Sequence, residues 1–291
     1  MNFMTVINDS MLRWLVVPIA KYRSTIGVPE DQVAGRESLI LGLGLGCFML
    51  PFLVFSPWSG WLADRFSKRQ VTIWLKVAEV IIMAAGLMTI WIGNLPLMFV
   101  VLFLMGTQSA LLTTTKFGII PELVPRSQLS AANGLSQLIT LIGVIIGTVA
   151  GNGLYALTAP DGMAGLWMSA SALLGVAAIG LIASFPMRHV AACSPGIPFP
   201  SNLIRASVRD LKLVMQNKAI RRVTFGIVFF WSLASLAQLN IDTFVINELH
   251  LTQREVGPFL AVLSIGVGLG SVLAGWWSGG RVELGMVPLG T

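Results

Sequence analysis

The chain has 291 residues, of which 55% are hydrophobic and only 11% charged, with nine Trp and a mean hydropathy of +0.80. These proportions exclude an ordinary soluble domain, which needs a charged surface, and leave a polytopic membrane protein with lipid against most of its exterior. The formal net charge of +6 does not point to nucleic acid, because no basic stretch is interleaved with base-stacking aromatics and the cations fall between apolar runs.

A span needs about 20 mostly apolar residues, and eight stretches qualify: Phe3 to Ala20, Ser38 to Leu62, Val71 to Gly93, Leu95 to Thr115, Ala131 to Leu157, Ala164 to Phe185, Val223 to Ile246 and Gly257 to Trp277. The first lacks a basic n-region and an A-x-A site and carries Asp9 and Arg13, so it reads as a span rather than a cleaved signal. Pro51 and Pro57 predict a kink in the second. With the N-terminus inside, the cytoplasmic loops hold Arg65, Lys68 and Arg69, then Arg126, then a cluster from Arg188 to Arg222, then Arg281. On the other side Lys21, Arg23 and Arg36 are offset by Glu30, Asp31 and Glu37, and only Arg254 follows. The positive-inside rule therefore predicts a cytoplasmic N-terminus.

The expected organisation is a six-helix bundle over residues 1–187, a cytoplasmic linker over 188–222, and a partial second bundle of two helices over 223–291. Within the linker, Ile204, Val208, Leu211 and Met215 recur at helical spacing while Arg205, Arg209 and Lys212 take another face. This pattern predicts an amphipathic helix on the cytoplasmic membrane surface. "GLGLG" at Gly42 to Gly46 is echoed by "GVGLG" at Gly266 to Gly270, the weak internal symmetry expected of two parallel halves of a transporter. The second copy then stops at Thr291, so it is expected to lack about four helices.

Gly42-x-Gly44 resembles the start of a dinucleotide fingerprint, but it lies inside a span and Cys47 occupies the third glycine position. Gly143, Gly147 and Gly151 instead predict close helix packing on one face of the fifth span. Cys47 and Cys193 form neither a disulfide framework nor a thiolate metal site, and His189 and His250 read as loop residues. No arrangement of residues implies a catalytic set, a metal or a cofactor.

Ionisable groups at bilayer depth cost about 2.5 kcal/mol or more unless paired, so they mark cavities or partners. Asn8, Asp9 and Arg13 occur in the first span, Lys76 and Glu79 in the third, and Gln238, Asn240 and Asp242 in the seventh, while Lys116 and Glu122 bracket the end of the fourth. Asp9/Arg13 and Lys76/Glu79 have the spacing to neutralise each other within a helix, and equally to serve a substrate pathway or a gate. Asp242 has no basic residue within four positions on its own helix.

"GWLADRFSKRQ", with Gly60, Asp64, Arg65, Lys68 and Arg69 between the second and third spans, resembles the cytoplasmic signature of the major facilitator superfamily, with Ser67 where the family usually has Gly. Within that superfamily, "NDSMLRWLV", "KFGIIPELVP", "LSAANGL" and "SGGRVELGMVPLG" resemble bacterial lysophospholipid transporters. They resemble equally the transporter-like N-terminal domain of fused acyl-carrier-protein-phospholipid acyltransferases. The resemblance implies a two-bundle, alternating-access carrier in the bacterial inner membrane that moves an amphiphile and has no enzymatic activity of its own. Membrane lipid would be one partner and a downstream acyltransferase another. It also implies a gating role for the signature loop and a substrate pathway through Asn8, Asp9, Arg13, Lys76, Glu79, Lys116, Glu122 and Asp242. The alternatives are the membrane domain of an acyltransferase fusion and an inactive carrier remnant.

Overall fold

The computed structural model describes residues 2–158, 165–188, 190–249 and 256–277, and among them the only regular structure is helical. The helices are α1 (Asn2–Thr25), α2 (Glu30–Arg65), α3 (Lys68–Ile92), α4 (Leu95–Gly118), the single turn α5 (Ile120–Leu123), α6 (Leu129–Thr158), α7 (Leu166–Ile182), α8 (Leu203–Gln216), α9 (Lys218–Asn247) and α10 (Val256–Trp277). In a bilayer the backbone must satisfy its own polar groups, and a helix does so within one apolar segment. Every expected span has become a helix, and the amphipathic pattern of the linker has become α8.

Five segments among the described residues are long and apolar enough to cross a membrane: Phe3–Thr25, Glu30–Arg65, Lys68–Ile92, Leu95–Leu123 and Leu129–Leu157. α1 and α2 run past the apolar limits read from sequence, and polar residues in the added turns find partners. Lys21 at the end of α1 pairs with Glu37 of α2 at 3.0 Å, and Arg23 donates to the carbonyl of Gly93. α2 runs 36 residues without interruption through Pro51 and Pro57, about 54 Å at 1.5 Å per residue. The α3–α4 turn is two residues long: Gly93 ends α3 with a φ of 73°, and Asn94 caps α4 by accepting from the Leu97 amide at 3.1 Å.

The chain divides into two compact units, one of residues 1–126 and 142–201 and the other of 127–141 and 202–291. In the first, α1 is the central helix, with 61% of its apolar window buried, and α2 is peripheral, with 22%. Leu12, Leu15 and Val16 of α1 pack with Met83 of α3, Leu102 and Met105 of α4, and Leu173 of α7. Leu39, Leu45 and Leu53 of α2 face outward, as they should against lipid. In the second unit, α8 and α10 each pack on α9, and Gly134 of α6 lies against Ser271 of α10.

Gly143, Gly147 and Gly151 do what their spacing predicts. A Cβ on Gly147 would lie 2.5 Å from the Ile7 carbonyl oxygen and 2.7 Å from the Ser10 Cβ, so α6 meets the backbone of α1 directly. Gly143 faces Val6 and Phe3, and Gly151 faces the Met11 carbonyl, one turn on in each direction. Gly147→Leu is expected to push α6 off α1 and lower the thermal unfolding midpoint in detergent, at a cost of about 1–3 kcal/mol or more for overpacking. An unchanged midpoint would show that the two helices do not meet there.

Candidate functional site

Three buried polar residues of the first unit, Asn8, Lys76 and Gln108, converge on Glu79 of α3. Glu79 and Lys76 both have fully buried side chains, and their ion pair is 2.7 Å long. Asn8 Nδ2 of α1 donates to Glu79 Oε1 at 2.9 Å, and Gln108 Nε2 of α4 lies 3.3 Å from Oε2 and 3.1 Å from the Leu75 carbonyl. One carboxylate thus takes donors from three helices. α7 closes the arrangement with Gly180, where a Cβ would stand 2.8 Å from the Lys76 ammonium nitrogen. The i, i+3 spacing had left open whether Lys76 and Glu79 neutralise each other or serve a substrate; geometrically they are paired.

Asp9 has a different setting from its neighbour. Ser109 Oγ of α4 donates to Asp9 Oδ2 at 2.7 Å, while Oδ1 is buried with no hydrogen-bond partner among the described residues. Asp9 lines a cavity of about 80 Å³ with Thr5, Val6, Phe52, Ser109, Leu112, Thr113 and Lys116. The cavity therefore has a carboxylate, an ammonium and hydroxyls set in an apolar wall. Arg13, four residues on from Asp9, places its guanidinium carbon 5.8 Å from the centre of the Phe48 ring. The structure brings together Asn8, Lys76 and Glu79 in one cluster and Asp9 and Lys116 in the adjoining cavity. Asp242 lies on α9, and its side chain is outside the described residues, as are those of Gln238 and Asn240.

Glu122 is elsewhere. It forms an ion pair with Lys68, whose side chain is only 4% exposed, and Cys193 Sγ lies 3.5 Å from Lys68 Nζ and 3.4 Å from Glu122 Oε1. The signature segment is mostly helical, with only Phe66 and Ser67 between α2 and α3. Gly60, Asp64 and Arg65 therefore ride on α2, and Lys68 and Arg69 on α3. Ser67 has a φ of −58°, a backbone any residue adopts, so the departure from glycine is accommodated. Asp64 lies in the last turn of α2, the negative end of that helix dipole, and its carbonyl accepts from the Ser194 amide at 2.9 Å. Arg69 donates to the Phe185 carbonyl at 3.0 Å.

Residues 194–200 lie along the end of α2, a feature the sequence reading missed. Trp61 Nε1 donates to the Ile197 carbonyl at 3.2 Å, as does Arg65, and Trp58 Nε1 donates to the Pro200 carbonyl at 3.1 Å. The Phe199 ring sits 5.6 Å from Trp58 and 5.0 Å from Trp61. The available signal was Trp58 and Trp61 three residues apart, just before the charged stretch, facing a downstream Pro-rich segment. Aromatics near a span end are ordinarily read as interfacial anchors.

A family model of the Major Facilitator Superfamily matches residues 2–289. The chain belongs to the major facilitator superfamily. It is a multi-pass membrane protein of that fold, as the loop signature implied. The lysophospholipid transporter LplT of Pectobacterium carotovorum is 25% identical over 229 residues, covering 77% of this chain and 52% of the relative. The LplT of Escherichia coli K12 is 26% identical over 226 residues, covering 77% and 54%. The chain thus spans about half the length of these curated relatives. The crystal structure of a major facilitator superfamily transporter, FucP, in the outward conformation matches with a TM-score of 0.56 and 14% identity, over 95% of this chain and 72% of that one. At that identity the likeness is one of fold.

Lys76→Met leaves Glu79 charged and buried without its cation, and is expected to destabilise the bundle by about 3–5 kcal/mol. Lys76→Met with Glu79→Gln should recover part of this, because the amide oxygen still accepts from Asn8. Thermal unfolding of the purified protein in detergent measures both, and equal midpoints for wild type and Lys76→Met would refute the pairing.

Proposed function

We propose that the protein works as an alternating-access secondary transporter for lysophospholipid or a related amphiphile, in the bacterial inner membrane and with its N-terminus in the cytoplasm. The observation that carries the substrate class is the Asp9/Lys116 cavity: a carboxylate oxygen without a partner, an ammonium group and an apolar wall of Val6, Phe52 and Leu112. Opposite charges on one wall suit the two charges of a zwitterionic head group. At about 80 Å³ the cavity takes a head-group fragment and not an acyl chain, which would run along apolar helix faces. The relatives above are named lysophospholipid transporters, which supports the carrier over the membrane domain of an acyltransferase.

In this reading the residues divide into three roles. Asp9 and Lys116 meet substrate. Asn8, Lys76, Glu79 and Gln108 hold α1, α3 and α4 in register behind them, so that the Asp9 carboxylate is presented at a fixed depth. Lys68 and Glu122 join the start of α3 to α5, next to the signature segment, and belong to the cytoplasmic gate. Residues 1–187 and 223–291 contribute to the two bundles, with Asp242 a pathway residue of the second.

Reconstitution in proteoliposomes with labelled lysophospholipid and a panel of small solutes tests the substrate. Asp9→Asn and Lys116→Ala are each expected to weaken lysophospholipid binding roughly tenfold, the worth of one charge-assisted hydrogen bond. Glu122→Ala should leave that affinity unchanged. Movement of a sugar or drug without any lysophospholipid would sink the assignment.

Orientation has its own measurement in Cys193, which is exposed, whereas Cys47 lies within α2. A membrane-impermeant maleimide should label Cys193 in inverted membrane vesicles and leave it unlabelled in spheroplasts. The reverse pattern would place the N-terminus outside.

A further inference from the structure

α8 carries two parallel rows of side chains that its fold does not use. Arg205, Arg209 and Lys212 recur at i, i+4 and i+7, and Ile204, Val208 and Leu211 form a matching row one residue earlier, about 100° round the helix. Ala206 is the only buried residue of α8, and it projects from the side of the helix opposite the Ile204 row. That row is therefore not the face that packs on protein: Ile204 is 79% exposed and Leu211 57%.

The basic row borders a recess of about 330 Å³, lined by Arg205, Val208, Arg209, Lys212, Leu213 and Gln216. Asp210 makes the one acidic contact there, with Arg209 Nε at 3.2 Å, and both side chains are more than half exposed, so the pair is weak and readily exchanged. The next helix begins with Lys218, Arg221 and Arg222, and Arg221 turns back to donate to the Met215 carbonyl of α8 at 3.4 Å. Between Arg205 and Arg222 there are six basic residues and one acidic.

We propose that α8 docks on the anionic lipid leaflet, with Ile204, Val208 and Leu211 entering the acyl boundary and Arg205, Arg209 and Lys212 holding phosphate head groups. Charge complementarity selects this occupant. An apolar peptide would gain nothing from the cations beside the row, whereas a leaflet offers apolar chains and phosphates side by side in the same order. The recess adds bidentate geometry, because two guanidinium groups one turn apart can share one phosphate. The proposal rests on the cytoplasmic placement of the linker, which Cys193 labelling tests separately.

The test uses the whole chain with Cys47→Ala and Cys193→Ala and a fluorophore on Leu211→Cys, in nanodiscs that contain brominated lipid. One set is phosphatidylcholine alone and the other contains phosphatidylglycerol as well. The expected result is strong quenching with phosphatidylglycerol, reduced in phosphatidylcholine and at high salt. Arg205→Gln, Arg209→Gln and Lys212→Gln together should lower partitioning on the order of a hundredfold, about fivefold per cation. These side chains are exposed, so the triple variant should elute from size exclusion as wild type does. A water-exposed fluorophore in both lipids overturns the docking. Equal quenching in both lipids, insensitive to the triple variant, overturns the head-group recognition.

Discussion

Glu79 accepts hydrogen bonds from Asn8 on α1, Lys76 on its own helix and Gln108 on α4, all away from water and lipid. Apolar side chains can slide past one another in a bilayer at little cost, because lipid tails are as apolar as leucine. Three directional contacts to one carboxylate cannot slide. Those from Asn8 and Gln108 fix the rotation and depth of α1 and α4 against α3. Ser109, the residue after Gln108, is brought to Asp9, the residue after Asn8. The cavity exists because the second pair is held by the first.

Glu79, Asp9 and Glu122 thus have separate settings. Glu79 takes donors from three helices, which suits a structural hub. Asp9 retains an oxygen with no partner among the described residues and faces space shared with Lys116. Glu122 sits with Lys68 and Cys193 at the junction of α3, α5 and the linker. Three carboxylates of the same chemistry are divided by their neighbours into a three-helix cluster, a cavity wall and an ion pair near the linker.

The sequence carried the helices themselves and the local pairs. Apolar length marks spans, three-residue spacing put Lys76 beside Glu79, and the linker pattern found α8. It could not supply contacts that depend on the rotation of one helix against another. Asn8 and Gln108 are ordinary polar residues of their own helices, separated by 71 and 29 positions from the carboxylate they share. The same limit hid the ion pair of Glu122 with Lys68, 54 positions away, while its closeness to Lys116 along the chain was visible. The packing of residues 194–200 on Trp58 and Trp61 was hidden for another reason: its hydrogen bonds go to backbone carbonyls, which carry no residue signature.

α1 is the least hydrophobic of the five crossing segments, with a mean hydropathy of 1.2 against 2.3 for α2, and it is also the most buried. These two facts bear on how the protein is made. A helix bearing Asn8, Asp9 and Arg13 leaves the ribosome before the donors and acceptors that suit it have been synthesised, and lipid is a poor solvent for it in the meantime. Its final seat becomes available only when Gln108 and Ser109 have entered the membrane on α4. α1 is thus translated before the helix that completes its seat, and biogenesis depends on whatever shelters it until α4 arrives.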